Sequence, residues 1–91
     1  MNRTILLASA DAAYAARMIP RLIDRGFHVV GPVSNARLAL ALAASVPIRV
    51  ALIGEQLSGM RDGRALARAL RANWGVPSVV VSGEAPAANS A

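Results

Sequence analysis

Few residues of this chain carry side chains that could do chemistry, and they cluster after short apolar segments. Asp11 follows the first such segment, Glu55 the third and Ser82 the fourth. If these segments are parallel strands, their carboxyl ends meet at one edge of a sheet, where open α/β sheets form their sites. In many chains of this layout an acidic residue ends the third strand. In the stretch ALIGEQLSGMRDG that position is Gly54, which has no side chain.

The other reactive residue types are scarce. The chain has no cysteine, which excludes disulfides and thiolate metal sites and makes a reducing cytoplasm the default compartment. The single histidine, His28, is interpreted as a partly buried or edge residue. Asp11 could ligate a metal, but a lone carboxylate is a poor site for a hard cation, so an N-cap worth about 1 kcal/mol is favoured. We therefore predict no catalytic residue, metal or cofactor.

Length and charge narrow the function classes. A chain of 91 residues allows one domain, and ten arginines with no lysine against five acids give a net charge of +5. This balance could serve a nucleic-acid or membrane-surface partner, although an Arg-only, Ala-rich composition also fits a GC-rich genome. Three aromatic residues leave little for base stacking, and no apolar run approaches a membrane span. A hydrophobic share of 55% favours self-association.

Hydrophobic periodicity predicts four short strands alternating with three helices. Asp11, Ser34 or Asn35, and Asp62 are expected to cap the helices, and Gly75 to end the third. The predicted strands span 4–8, 27–30, 48–53 and 78–81, and the predicted helices 12–25, 36–45 and 63–73. Helical crossovers between strands predict an α/β fold with a doubly wound, three-layer parallel sheet. One domain is expected over residues 1–84, followed by a disordered tail at 85–91.

Four stretches of the sequence together resemble the receiver domain of bacterial response regulators, a flavodoxin-like phosphoacceptor module. They are ILLASAD, GFHVVGP, ALIGEQLSGMRDG and RALRANWGVPSVVVSGE, and the resemblance covers residues 4–84. It implies strand order 2-1-3-4. It also implies that the chain lacks the fourth helix, fifth strand and fifth helix of a complete receiver, and is therefore C-terminally truncated.

The resemblance implies a phosphoacceptor pocket whose reactive residues are mostly replaced. The two adjacent acids that bind Mg²⁺ in the family fall on Ser9 and Ala10, with Asp11 after them. The nucleophilic Asp falls on Gly54, and only Ser82 fits its expected hydroxyl position. The family's Lys has no counterpart. Glu55 is not expected to replace the lost Asp, because a shift of one residue along a strand points to the other face.

Truncation predicts a homodimer. Strand 78–81 would become an edge, and its residues Ser78, Val79, Val80 and Val81 are β-prone and uncharged. The loss of the last elements would also uncover apolar surface on the first, third and fourth strands. Two copies could pair edge to edge or exchange elements by domain swapping.

Two functions of different classes follow. The first is a non-enzymatic, phosphorylation-independent signalling module that contacts a histidine kinase, another response regulator or itself. Arg17, Arg21 and Arg25, spaced four residues apart on the first helix, are the candidate partner surface. The alternative is a small basic protein that binds nucleic acid through its Arg-rich helix faces. A relocated phosphoacceptor and a degraded gene fragment are two further possibilities.

Overall fold

The computed structural model describes residues 2–55, 57 and 62–81, and within them strands and helices alternate strictly. The predicted order of elements is therefore confirmed. The strands are β1 (Thr4–Ala8), β2 (His28–Val33), β3 (Val50–Gly54) and β4 (Ser78–Val81), and the helices are α1 (Ala12–Asp24), α2 (Ala36–Ser45) and α3 (Gly63–Trp74). The predicted end of the domain at residue 84 and the predicted disorder of 85–91 lie outside the described residues.

All four strands are parallel and lie in the order β2-β1-β3-β4, as predicted. Helix α1 packs against β2 on one face of the sheet, and α2 and α3 cover the other face. The chain thus forms three layers, helix, sheet and helices, of the doubly wound α/β class. In the part of the chain that is described, no helix is long and apolar enough to cross a membrane.

Two predicted strand boundaries were wrong. Strand β2 begins at His28 and continues through Gly31 and Pro32 to Val33. Val33 pairs with Ala8 after a shift in register, and β2 is an outer strand, where a proline costs no ladder hydrogen bond on the free side. Strand β3 begins at Val50 and includes Gly54, because Gly54 still pairs with Val81 of β4.

Side-chain caps fix the start of each helix as the sequence predicts. The carboxylate of Asp11 accepts a hydrogen bond from the backbone N–H of Tyr14 at 3.1 Å, and Asp62 caps α3 in the same way. At α2 the cap is Asn35 and not Ser34, because the Asn35 side chain accepts the N–H of Leu38 at 2.9 Å. Helix α3 ends on Gly75, whose φ of 66° is the left-handed conformation that glycine adopts freely.

The main core lies between the sheet and helices α2 and α3. Leu66 and Leu70 of α3 are fully buried, as predicted. Helix α2 turns three alanines inward and leaves Leu38 49% exposed, so small side chains bring this helix close to the strands. The buried residues of this cluster are Leu6, Ala8, Ala36, Ala39, Ala43, Ala51, Ile53, Leu66, Leu70 and Val76.

The opposite face of the sheet is covered only in part. Ile5 and Leu7 are 5% and 0% exposed, so the prediction that β1 uncovers apolar surface was wrong. On the same face Leu52 of β3 is half-buried, and Val79 of β4 is 52% exposed. The reason is the position of α1, which lies over the β2 half of the sheet, while no helix of the described residues lies over the β4 half.

Candidate functional site

Ser9 and Asp11 form a hydrogen-bonded turn between β1 and α1. The N–H of buried Ser9 donates to the carbonyl of Val33 at 2.8 Å, and the N–H of Asp11 donates to Ser9 Oγ at 3.0 Å. The carboxylate of Asp11 accepts the N–H of Tyr14. Ala10 between them is exposed and offers no ligand atom. The polar atoms of this turn therefore hold the start of α1 in place.

Gly54 at the end of β3 lies directly beside Ser9. A Cβ atom added to Gly54 would lie 3.3 Å from Ser9 Oγ and 3.5 Å from Ser9 Cα. A side chain at position 54 would therefore contact the turn between β1 and α1. Where these two residues meet, Gly54 has no side chain and Ser9 offers a hydroxyl, whereas the resemblance predicts carboxylates at both positions.

Gly63 closes the other side of this strand end, and its role was missed in the sequence. Its N–H donates to the carbonyl of Glu55 at 2.8 Å, and any Cβ at position 63 would collide with the carbonyl oxygen of Gly54. The first residue of α3 is therefore packed backbone to backbone against the end of β3. The sequence signal for this close contact is the Asp62-Gly63 pair, in which a helix N-cap is followed by a residue with no side chain.

The Glu55 side chain reaches the start of α3. Its Oε2 atom lies 3.8 Å from Nη2 of Arg64, with both side chains substantially exposed. Its backbone N–H donates to the carbonyl of Val81 at 2.8 Å, which fixes the end of β4. An exposed pair at this distance stabilises the fold by less than about 1 kcal/mol.

The residues at the strand ends do not fit a magnesium ion. Proteins bind Mg²⁺ mainly through one or two carboxylates, and the two positions that the resemblance assigns to an acid pair hold Ser9 and Ala10. Among the described residues no group of three or more His, Cys, Asp or Glu side chains could hold a metal. Ser82, together with Gln56 and residues 58–61 of the loop, lies outside the described residues.

Strand β4 leaves one edge without a neighbouring strand among the described residues. The N–H groups of Ala51 and Glu55 donate to the carbonyls of Pro77 and Val81 at 3.0 and 2.8 Å. Parallel ladders use alternate residues, so the backbone groups of Ser78 and Val80 face the open edge. Ser78 Oγ is buried and has no hydrogen-bond partner in the described part of the chain. Beside it, α3 and β4 enclose a cleft lined by Ala67, Arg68, Arg71, Ala72, Val76, Pro77 and Ser78.

The three predicted surface arginines of α1 are all exposed. The Arg17 guanidinium lies 6.0 Å from the centre of the Tyr14 ring, and Arg21 and Arg25 line a cleft together with Met18, Leu22, Asp24 and Phe27. No described acid forms an ion pair with any of these three arginines. They therefore form a basic strip, the α1 arginines, along one side of the helix.

Arg3 has a structural role that sequence reasoning missed. Its guanidinium donates to the carbonyls of Gly26 at 2.9 Å and Arg25 at 3.2 Å, and it lies 5.2 Å from the centre of the Phe27 ring. These carbonyls stand at the C-terminus of α1, where helices leave acceptors unpaired. Arg3 thus ties the start of β1 to the end of α1, through contacts between residues far apart in sequence.

Three solved structures show what the chain is similar to. The signal receiver domain of a modulated diguanylate cyclase from Desulfovibrio desulfuricans G20 matches with a TM-score of 0.82 and 25% identity, over 88% of this chain and 64% of that one. The receiver domain of an HD domain-containing protein from Pseudomonas fluorescens Pf-5 matches at 0.80 and 20%, over 88% and 63%. A response regulator receiver protein from Sinorhizobium medicae WSM419 matches at 0.75 and 26%, over 99% and 76%.

These similarities confirm the resemblance drawn from the sequence: the chain has the fold of response regulator receiver domains. It spans 64% and 63% of the length of the first two structures, less than two thirds of each. No protein-family model matches the sequence, and no curated protein matches it.

Proposed function

We propose that this chain is an atypical receiver-like module, acting in bacterial signal transduction through protein contact and without accepting a phosphoryl group. The observation that carries the proposal is the meeting of Gly54 and Ser9, 3.3 Å apart when a Cβ is placed on the glycine. The resemblance assigns the nucleophile to position 54 and an acid of the metal site to position 9, and neither Gly54 nor Ser9 carries a carboxylate. Accordingly we propose no catalytic activity and no cofactor.

Loss of several groups together supports this proposal better than loss of one. A single substitution could be compensated by a neighbour, but Ser9, Ala10 and Gly54 are all non-acidic. Of the two carboxylates next to these positions in sequence, Asp11 caps α1 by accepting the N–H of Tyr14, and Glu55 extends toward Arg64 of α3. The scaffold therefore retains the shape of the pocket while its polar groups hold the backbone.

Acetyl phosphate tests the proposal, with intact mass as the measurement. The protein is incubated with acetyl phosphate and MgCl₂ next to a receiver that has its Asp, which serves as the positive control. We expect no mass increment of one phosphoryl group on this chain, because no carboxylate lies at the end of β3. A phosphoryl adduct on Glu55 or Asp11 would contradict the proposal.

We also propose that the module forms a homodimer through β4, at Ser78, Val79, Val80 and Val81. What supports this is the open backbone edge at Ser78 and Val80, together with the 52% exposure of Val79. Light scattering at about 50 μM should give a mass close to twice that of the chain, as expected for a dimer Kd of about 1 μM or below. A monomer mass at that concentration would overturn this part of the proposal.

Partners and location complete the proposed function. A histidine kinase or another response regulator is the expected class of partner, in the cytoplasm, since the receiver fold belongs to signalling proteins. The α1 arginines also support the alternative function, which is binding of nucleic acid. Binding of random duplex DNA that weakens steeply with salt would support that alternative, and no binding at low salt would reject it.

A further inference from the structure

On the face of the sheet that α1 partly covers, no described helix lies over β3 and β4. We call this open strip, bordered on one side by α1, the trough. In one row across the sheet, Leu7 of β1 pairs with Leu52 of β3, and Leu52 pairs with Val79 of β4. Exposure rises along this row from 0% at Leu7, through the half-buried Leu52, to 52% at Val79. The cover supplied by α1 is therefore complete over β1 and decreases across β3 and β4, which form an apolar floor.

The handedness of the fold decides which side of α1 borders this trough. The crossover from β1 to β2 is right-handed, as parallel crossovers are, and the helix itself is right-handed. Together these turn Tyr14, Met18 and Arg21 toward β3. The same reasoning turns Ala67 and Arg71 of α3 toward β4, and both do line the cleft beside that strand.

The wall of the trough is thus apolar at its base and basic at its rim. Tyr14 and Met18 are half-buried. Arg17, Arg21 and Arg25 are exposed and form no ion pair with any described acidic residue. The floor strands, VALIG and SVVV, contain no charged residue. An occupant of this trough must be apolar on one side and negatively charged along the flank that meets α1.

The dimensions of the trough fit one helix. Two neighbouring strands span about 10 Å, which is also the diameter of an α-helix with its side chains. The helices of a second copy are poor occupants. Helices α1 and α3 carry arginines along their outer faces and would face the α1 arginines with like charge, and α2 contains one arginine and no acidic residue. The phosphates of a nucleic acid would pair with the arginines of the rim, but they would leave the apolar floor exposed to water.

From these observations we infer that the trough between α1 and β4 binds one acidic amphipathic helix of a partner protein. Its apolar stripe packs on Leu52 and Val79, and its carboxylates pair with Arg17, Arg21 and Arg25. This inference rests on the proposed function, action by protein contact, and it names the chemistry of the partner. It is independent of the homodimer, since the helix covers a face of the sheet and the dimer uses the edge of β4.

Fluorescence anisotropy with a designed peptide tests the inference. The probe is a fluorescein-labelled helix of about 18 residues, with leucines at i, i+3, i+4 and i+7 and glutamates on the flanks. A scrambled peptide of the same composition controls for the apolar stripe, and a peptide with lysine in place of glutamate controls for charge. We expect binding of the probe with a Kd of about 10–100 μM and at least about tenfold weaker binding of both controls.

Two pairs of variants locate the binding. Val79→Asp places a charge on the floor, and its control Leu38→Asp changes a similarly exposed residue on the opposite face. Arg21→Glu reverses a rim charge, and Arg37→Glu is its control on α2. We expect about tenfold weaker binding from Val79→Asp and from Arg21→Glu, and less than about twofold change from the controls. If circular dichroism shows that Val79→Asp does not fold, the inference is tested by comparing Arg21→Glu with Arg37→Glu and the probe with the two control peptides.

Several outcomes would overturn the inference: no binding at about 500 μM, equal effects of Leu38→Asp and Val79→Asp, or a DNA duplex that displaces the probe and is insensitive to Val79→Asp. The last would show a polyanion site on the arginines alone. None of these affects the phosphorylation or light-scattering results, so failure here is distinct from failure of the proposed function.

Discussion

The two faces of the sheet are built from similar residues but are covered to very different extents. On the α2–α3 face, Ala51, Ile53 and Leu66 are fully buried. On the α1 face, Leu7 is fully buried, whereas Val79, two strands away, is 52% exposed. The closed face shows what stabilises this small fold, and the open half-face shows where apolar surface remains for binding. The following predictions test that division.

The largest expected effect is at the centre of the closed face. Replacing the fully buried Leu66 with alanine should destabilise the fold by about 2–5 kcal/mol, because it removes buried methyl groups and leaves a cavity. Val79→Ala on the open half should cost less than about 1 kcal/mol, since half of that side chain is already in water. Urea denaturation measures both, and similar losses at the two sites would contradict the division.

The contact between α3 and β3 should be the next most sensitive. Gly63→Ala should cost about 1–3 kcal/mol, because the added Cβ meets the backbone carbonyl of Gly54, which cannot move independently. Arg64→Ala, one residue along, is the matched control and should change stability by less than about 1 kcal/mol. A thermal melt in which Gly63→Ala matches its control would show that the strand end is not closed in this way.

A smaller effect is expected at the polar turn. Asp11→Ala should lower stability by about 1 kcal/mol, because the N–H of Tyr14 loses its acceptor. If Asp11 acts only as a cap, MgCl₂ will change the melting temperature of the wild type and of the variant by the same amount. A magnesium-dependent rise that is lost in Asp11→Ala would instead assign Asp11 to a metal site.

The smallest effect concerns the proposed dimer. Antiparallel edge pairing of β4 about a two-fold axis perpendicular to the sheet places both α3 helices on the same side of the joined sheet. Arg68 and Arg71, which line the cleft beside β4, would then face the same residues of the second copy. The dimer should therefore tighten by a few-fold as NaCl rises from about 50 to 500 mM, because salt screens like charges. Sedimentation showing weaker dimers at high salt would exclude this arrangement.

Local patterns were sufficient to predict the order of elements and the caps of the first and third helices. Asp11 and Asp62 act within their own first turn, and Leu66 and Leu70 repeat at helical spacing, so each signal is complete within a few residues. The receiver resemblance supplied strand order 2-1-3-4, which parallel pairing confirms.

Features that depend on contacts distant in sequence were not predictable. The continuation of β2 through Pro32 depends on its position at the edge of the sheet, and the full burial of Leu7 depends on where α1 settles. Arg3 caps a helix that ends more than twenty residues later, and the need for glycine at 63 comes from the carbonyl of Gly54. At the site, sequence identified which residues are missing, and only the structure put Ser9 beside Gly54.

One NMR titration tests the central claim that this fold binds partners and does not accept a phosphoryl group. Backbone amide spectra are recorded with acetyl phosphate and MgCl₂, and separately with the acidic helical probe. We expect no shift at Ser9, Asp11 or Gly54 with the phosphoryl donor, and shifts at Leu52 and Val79 with the probe. Shifts around Gly54 with the phosphoryl donor, and none at Val79 with the probe, would contradict it.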